Sequence, residues 1–373
     1  MMRIAVKEFL KIRRELKTLS DIRKLPYPRG TLHCILQQKK VDSVKRKYHT
    51  FAERIPEIIS YWEREKKFPK WLTLPPVMKI RLLMKGMGFS AKSINKALRN
   101  PEDVVEDEKL AEQIRKAVLS DYVYSPIAAR LQRARGKLGE RGLAYELEKA
   151  GIEFLTEKDL KGRFSKTPDF YFEEPVEFMG EELKWIESKA LFGDPRSHDL
   201  YWKKQYSKYY EMFGNGLIVY WLGCVESIEA SDGSEFKNGY RTSLLDMLLY
   251  LTDSKDESYA ERLNARFIEV NEQNDVLAAE KVVDAYAEGR VLAFTDRKRE
   301  VARILKNMGF DVTLGQNYLT TLTANTLCHS PTANKAISLL SSLLCLINHP
   351  NLLLSAENPA SLKFLLKYLF RNL

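Results

Sequence analysis

The spacing of apolar residues changes at Gly151, and this change constrains the fold more than any other feature of the chain. Before Gly151 apolar residues recur at helical intervals. After it they gather in short β-like runs: IEFL, PDFYF, LKWIESKAL and, following one more helix, GLIVYWLG. The pattern predicts a multi-domain α/β protein, with an all-α amino-terminal part feeding an α/β core that begins near Arg133 and ends near Gly223. With 373 residues, 45% of them apolar, the chain can bury more than one core, and a mostly disordered protein is excluded.

Residues 3 to 19 carry Ile4, Phe9, Leu10, Ile12, Leu16 and Leu19 at helical spacing, and Ser20 caps the short segment DIRKL. Pro26, Pro28 and Gly30 break it, and Thr31 is expected to cap a long basic helix, LHCILQQKKVDSVKRKYHTF. Short helix, tight turn and basic helix form the outline of a helix-turn-helix over residues 1–60. A second copy is expected within residues 61–130, where a helix from Pro76 to Lys85 is followed by a turn at Gly88 and by AKSINKALRN, capped by Ser90. Ser125 and Pro126 open the next helix, which contains Gly136, Gly139 and Gly142; each costs about 1 kcal/mol relative to Ala. Close approach to another backbone or a ligand would account for them.

The net charge of +10 is localised. Residues 1–50 hold 14 of the 60 Lys and Arg but only 4 of the 50 Asp and Glu, so the remainder of the chain is neutral. A basic head on a neutral body implies a polyanionic partner, because phosphates attract Lys and Arg and release counterions; the alternative is a solvated basic helix. The residues expected to meet nucleic acid are Lys39, Lys40, Lys45, Arg46 and Lys47 on the first basic helix and Lys92, Lys96 and Arg99 on the second. On this reading residues 1–50 can be deleted while the core stays folded.

Past the core, FIEV at 267–270, a helix over 277–288, VLAFT at 291–295, a helix over 297–308 and FDVTL at 310–314 suggest a small parallel α/β layer, followed by Leu-rich helical sequence. Residues 336–356 lack charge but are interrupted by Asn348, His349 and Pro350, which reads as a buried helix pair and not a membrane span. The four cysteines form no CxxC pair, and the charged start is no secretory signal, so an intracellular protein is expected, cytoplasmic or, in a eukaryote, nuclear.

The chemistry gathers on one expected hairpin. If residues 169–173 and 184–189 pair antiparallel about a turn near Met179 and Gly180, Asp169 lies beside Glu187 and Ser188. Glu187 and Lys189, two apart on a strand, share a face. Two acids and a lysine then converge, as phosphodiester hydrolysis requires. Asp169, Glu187 and the Ser188 carbonyl can bind Mg²⁺ or Mn²⁺, with Glu140 on the preceding helix as a further acid, while Lys189 orients water or stabilises charge. The alternative is a turn residue beside a surface ion pair. Nucleotide-driven and acyl-transfer enzymes are set aside, since no GxxxxGK[ST] loop, GxGxxG after a strand or GxSxG elbow occurs.

An acid on a helix, Pro-Asp at a strand start and ExK on the next strand resemble the PD-(D/E)xK nucleases. The runs KTPDF, WIESKALFGD, Ser197-His198, Gln205 with Tyr209 and FGNGLIVYW resemble more specifically the TPD-motif family, from about residue 20 to 230. The resemblance implies a restriction-endonuclease-like core over residues 131–235, related to Holliday-junction resolvases, with a carboxy-terminal extension over 236–373. It implies catalytic roles for Glu140, Asp169, Glu187, Lys189 and Gln205, and metal ligation by Asp169, Glu187, Ser188 and Glu140. Gln205 and Tyr209 match a QxxxY element that touches substrate or orients the lysine; packing is the alternative for Tyr209. The implied partners are DNA or structured nucleic acid and a codanin-like protein, and resolvase kinship allows a homodimer. A scaffold or DNA-binding protein that keeps the nuclease fold only as a binding module is the rival.

Overall fold

The computed structural model of the chain describes residues 3–178, 181–228, 235–238, 249–252, 260, 265–289, 291–310 and 312–314. Within them it is a mixed α/β structure with a helical amino-terminal part and two larger sheets. The expected turn at Met179 and Gly180 and the Leu-rich stretch containing residues 336–356 lie outside the described residues.

The amino-terminal helices are α1 (Val6–Glu15), α2 (Arg29–Ala52), α3 (Ile55–Glu65), α4 (Pro76–Gly86), α5 (Ala91–Ala97) and α6 (Glu108–Ser120), with a 3₁₀ turn over Leu19–Lys24. The caps at Ser90 and Asp107 form as their sequences require, each side chain accepting a first-turn backbone N–H. Thr31 is not a cap. Helix α2 starts three residues earlier, after Pro28, and the buried Thr31 hydroxyl instead donates to the Leu222 carbonyl at 2.9 Å.

That bond is one of several that make the basic head integral to the core, correcting the expectation that it can be deleted. Ile4, Phe9, Ile12, Leu16, Leu32, Ile35 and Leu36 are all buried. Arg3–Ile4 form a two-residue strand, β1, paired parallel with Cys224–Val225. Gln38 donates to the Phe192 carbonyl at 2.8 Å, and the buried Cys34 thiol accepts the Phe192 N–H. Removing these residues would strip one wall from the core, at about 25 cal/mol for each Å² of apolar surface re-exposed.

Helix α7 (Pro126–Lys149) opens at the Ser125 cap and leads into a five-stranded sheet. Its strands are β2 (Leu155–Thr156), β3 (Phe170–Phe178), β4 (Glu181–Lys189), β5 (Gly216–Tyr220) and, with β6 the Cys224–Val225 pairing partner, β7 (Glu235–Asn238), in the order β2-β3-β4-β5-β7. Of IEFL, only Leu155 enters the sheet. Strands β3 and β4 are antiparallel; β4, β5 and β7 are parallel. Between Tyr171 and Val176 strand β3 bulges, leaving Glu173, Glu174 and Pro175 exposed, and a bulge is where a proline without a ladder donor is tolerated.

A second sheet, wholly parallel, has the order β11-β8-β10-β9, with β8 Leu249–Thr252, β9 Arg266–Glu269, β10 Val291–Phe294 and β11 Val312–Leu314. The intervening helices are Asp275–Tyr286 and Lys298–Asn307. Three strands were expected as a parallel layer; β8 is additional. This layer joins the core through Arg130 on α7, which pairs with the buried Glu280 at 3.0 Å and with Asp284. Among the described residues no helix is long and apolar enough to cross a membrane.

Candidate active site

The site is built by the β3–β4 hairpin. Phe170 pairs with Ile186 and Tyr171 with Trp185, so one step further the register brings Asp169 opposite Glu187. The two residues are laced together: the Asp169 carboxylate accepts the Ser188 N–H at 2.8 Å, and the Asp169 N–H donates to Glu187 Oε2 at 3.3 Å. Lys189, on the same face as Glu187, donates to Glu187 Oε1.

The layers on either side exploit strand alternation. Ser188 faces α7. There Gly139 has no room for a methyl group, because a Cβ would lie 2.7 Å from Trp221 Nε1 and 3.1 Å from Ser188 Oγ. Trp221 Nε1 donates to Ser188 Oγ at 2.9 Å, which fixes the strand from behind. Of the helix glycines, Gly139 thus has the close approach expected of it, whereas nothing lies within 4 Å of a Cβ at Gly136.

The opposite face, carrying Trp185, Glu187 and Lys189, is covered by the segment expected as one helix, SHDLYWKKQYSKYYEMF. It is three pieces: α8 being Glu157–Leu160, the cover begins with α9 (Pro195–Tyr201), passes through a π-helical turn at Trp202–Tyr206 and ends with α10 (Ser207–Phe213). Such turns recur at functional sites. The turn places the Tyr201 and Tyr206 rings over the Lys189 ammonium, 5.3 Å and 5.9 Å from their centroids. Gln205 lies in the same turn, one helical turn before Tyr209. Tyr209 is buried against Trp185, and its hydroxyl donates to the Thr167 carbonyl at 2.8 Å, anchoring the loop before Asp169.

Electrostatically the site holds more acid than it neutralises. Burial pushes the Glu187 carboxyl up, and the Asp169 charge adds to this; Lys189 opposes both. Burial likewise raises Asp169, against the Ser188 N–H and Lys189. Burial works against the Lys189 ammonium, but Glu187 and then Asp169 outweigh it and hold the lysine charged. Glu140 stays exposed on α7, yet desolvation on its cleft side and the Asp169 and Glu157 charges push it up to about 7. A concentration of buried carboxylates with raised pKa is a donor set suited to a hard divalent cation. Among the described residues no three His, Cys, Asp or Glu side chains are gathered into a group able to hold a metal, and only Asp169 and Glu187 are laced directly.

The remaining expected residues are dispersed. Lys39 donates to the Leu16 carbonyl at 2.7 Å and to that of Arg13, closing the end of α1. Lys96 pairs with Asp103 at 3.5 Å and Arg99 with Glu280 at 3.7 Å. Lys45, Arg46, Lys47 and Lys92 are exposed; Lys40 is half-buried. His198 is buried with Nδ1 3.1 Å from the Tyr220 hydroxyl, and the buried Asp194 caps α9 through the Ser197 N–H. Sequence reasoning missed Tyr201 and Tyr206 around the lysine. It also missed the loop over residues 161–166, whose exposed Lys161, Arg163, Phe164 and Lys166 immediately precede Thr167. The alternation of cations with an aromatic in that loop was the available signal.

Comparison with known proteins converges on this region. Residues 106–238 match the family described as "Protein of unknown function TPD sequence-motif". The TPD-motif resemblance holds across the whole site. Relatives named "CDAN1-interacting nuclease 1" include the Homo sapiens protein, 36% identical over 143 residues, which are 38% of this chain and 50% of that protein. The Danio rerio protein is 34% identical over 158 residues, 42% of this chain and 52% of that protein. The Xenopus laevis protein is 29% identical over 242 residues, 58% and 78% of the two chains. The chain spans about half the length of most of the curated relatives it matches. No solved structure matches it.

Proposed function

We propose that the chain is a divalent-metal nuclease with a PD-(D/E)xK core, hydrolysing phosphodiester bonds in DNA or structured nucleic acid. The observation that carries this reading is the lacing of Asp169, Glu187 and Ser188 beside the paired, aromatic-roofed Lys189. The name of the relatives, which carries the word nuclease, supports it over the matched segment.

In this reading Asp169, Glu187, the Ser188 carbonyl and Glu140 would hold Mg²⁺ or Mn²⁺. The ion, when bound, supplies a water of lowered pKa and neutralises charge on the phosphate. The protein's own groups do the rest. Glu187 holds the Lys189 ammonium in place; its positive charge, kept from bulk water by Tyr201 and Tyr206, stabilises charge that builds on the phosphate oxygens. Tyr209 acts through position, fixing the loop that presents Asp169, while Gln205, one turn before it, is left to touch substrate or orient the lysine.

Delivery falls first to Lys161, Arg163 and Lys166, which border the site, with Phe164 as a surface on which an unpaired base stacks. Lys40, Lys45, Arg46, Lys47 and Lys92 extend the basic surface outward as helix-turn-helix contacts to backbone phosphates. A codanin-like protein is a further proposed partner, drawn from the name of the relatives.

One observation favours the rival reading of a binding module: Lys189 already neutralises Glu187, and no ready-made three-acid group exists among the described residues. Calorimetric titration with Mn²⁺ separates the two. The wild type should bind Mn²⁺ and gain thermal stability, about 2.7 kcal/mol at a hundred times Kd, while Asp169→Asn should respond much less. Equal responses would remove Asp169 as a ligand and favour the binding module.

A further inference from the structure

Two exposed cationic runs approach the acid cluster from different elements. On α7, Arg133, Lys137 and Glu140 stand at i, i+4 and i+7, so the two cations continue the helix face of the site acid for about 10 Å. Both are exposed, and the sequence from 122 to 139 contains no Asp or Glu. The second run is the loop before Thr167, with Lys161, Arg163 and Lys166 exposed. Asp159, the one acid in residues 158–166, is taken up by the Thr156 N–H and hydroxyl.

The loop also carries an aromatic ledge. Phe164 is 37% exposed, yet its ring is held edge-to-face by Phe213, with centroids 4.9 Å apart, and by Tyr171 at 6.2 Å. Tyr171 and Phe213 meet in turn at 5.1 Å, and the Arg163 guanidinium lies 5.9 Å from the Phe164 centroid. The backbone is fixed at both ends of the ledge: Gly162 turns the chain with a φ of +86°, and the Tyr209 hydroxyl holds the Thr167 carbonyl. A ring held this way loses little freedom when a ligand meets it. Exposed aromatics among cations suit an unpaired strand, because cations follow the phosphates while every base offers a face to stack. In a duplex those faces are covered by neighbouring base pairs and only the edges are open. Phe164 precedes Asp169 by five residues, at most about 18 Å of chain, so a base on the ledge lies within a few nucleotides of the acids.

We infer that the hydrolytic site selects an unpaired strand, whose backbone runs from Arg133 and Lys137 past the acid cluster to Lys161, Arg163 and Lys166, with one base stacked on Phe164. The inference rests on the nuclease reading for what is done to the strand; the choice of strand and its path follow from the exposed ring and the two cationic runs. A duplex keeps the electrostatic part of this contact and loses the stacking.

Fluorescence anisotropy with a labelled oligothymidylate strand and a labelled hairpin duplex of similar length, in EDTA at fixed ionic strength, reads the selection without cleavage. The strand should bind at least about tenfold tighter than the hairpin. Phe164→Leu keeps apolar bulk against Phe213 and Tyr171 but removes the ring; it should weaken the strand about tenfold, the scale of one stacked base, and leave the hairpin unchanged. Phe164→Tyr should bind the strand as the wild type does. Lys137→Gln should weaken both ligands and flatten the salt dependence, whereas Lys149→Gln, an exposed cation off that helix face, should do neither. Each variant is first shown to melt as the wild type does. Equal loss on strand and hairpin in Phe164→Leu, no loss on the strand, a hairpin bound as tightly as the strand, or no binding of either ligand would overturn the inference. Adding Mn²⁺ separates it from the nuclease reading. Strand binding that depends on Phe164, without cutting by the wild type, keeps the path and removes hydrolysis; cutting of strand and duplex alike that Phe164→Leu leaves unchanged keeps hydrolysis and removes the path.

Discussion

Gly139 and Gly136 lie three residues apart on α7, and alanine at the two positions should act with opposite sign. In a helix interior Ala is better than Gly by about 1 kcal/mol, and at Gly136, where nothing lies within 4 Å of the new methyl, this gain should appear in full. At Gly139 the same gain is offset. The methyl would meet Trp221 Nε1 at 2.7 Å and Ser188 Oγ at 3.1 Å, and the buried indole is tied to that hydroxyl and cannot simply swing away. Overpacking of this kind costs about 1–3 kcal/mol, and weakening the Trp221–Ser188 hydrogen bond costs about 1 kcal/mol more. Gly139→Ala should therefore be destabilised by about 1–3 kcal/mol and Gly136→Ala stabilised by about 1 kcal/mol. At a urea slope of about 2 kcal/mol per molar the two midpoints should differ by about 1–2 M. Urea unfolding followed by tryptophan fluorescence and by far-ultraviolet dichroism measures this, provided the two transitions coincide. Equal stabilisation by both substitutions would refute the claim that α7 is pressed against the site strand at Gly139.

Asp121→Ala should cost about 3 kcal/mol or more, because the buried Asp121 carboxylate accepts the N–H groups of Val77, Val123 and Tyr124 and each would be left unsatisfied; a loss under 1 kcal/mol in urea unfolding would contradict this. Glu140 has a folded pKa raised to about 7, so its contribution is favourable below its unfolded pKa of about 4.5 and is lost as pH rises through 7. Glu140→Gln should consequently gain in melting temperature relative to wild type between pH 5 and 8 in EDTA, whereas a pH-independent difference would remove Glu140 from the acid cluster. Replacing Lys45, Arg46 and Lys47 by Gln should lower the slope of log affinity for duplex DNA against log salt by about 0.9 for each phosphate no longer neutralised; an unchanged slope would exclude α2 from the interface.

Much of this architecture was legible because its signals are local. The Ser90 and Ser125 caps, the strand alternation that puts Glu187 and Lys189 on one face, and the Asp169-to-Glu187 register all follow from short-range geometry. What could not be read was set by distant partners. Thr31 looks like a cap, but its hydroxyl bonds a carbonyl 191 residues away. Lys39 looks like a phosphate contact and is spent on α1 carbonyls through tertiary packing. The π-helical turn at Trp202–Tyr206 adds one residue to a helical repeat without altering the apolar pattern, so the placing of Tyr201 and Tyr206 over Lys189 has no periodic signature. Charge counting located the basic head but could not show that Arg23 and Arg29, though exposed, border a cavity that Arg135 and Lys306 also line.

The central claim is that Glu187 and Lys189 serve hydrolysis. Its most direct test is cleavage of a panel of branched, flapped and single-stranded DNA in Mg²⁺ or Mn²⁺ by the wild type, Glu187→Ala and Lys189→Ala, each first shown to melt cooperatively. The account predicts cutting by the wild type that EDTA abolishes, and loss of cutting in both variants by at least about a hundredfold, the scale expected when a group stabilising charge in the transition state is removed. Wild-type cleavage in either variant, or no cleavage of any substrate by a wild type that binds Mn²⁺, would contradict it.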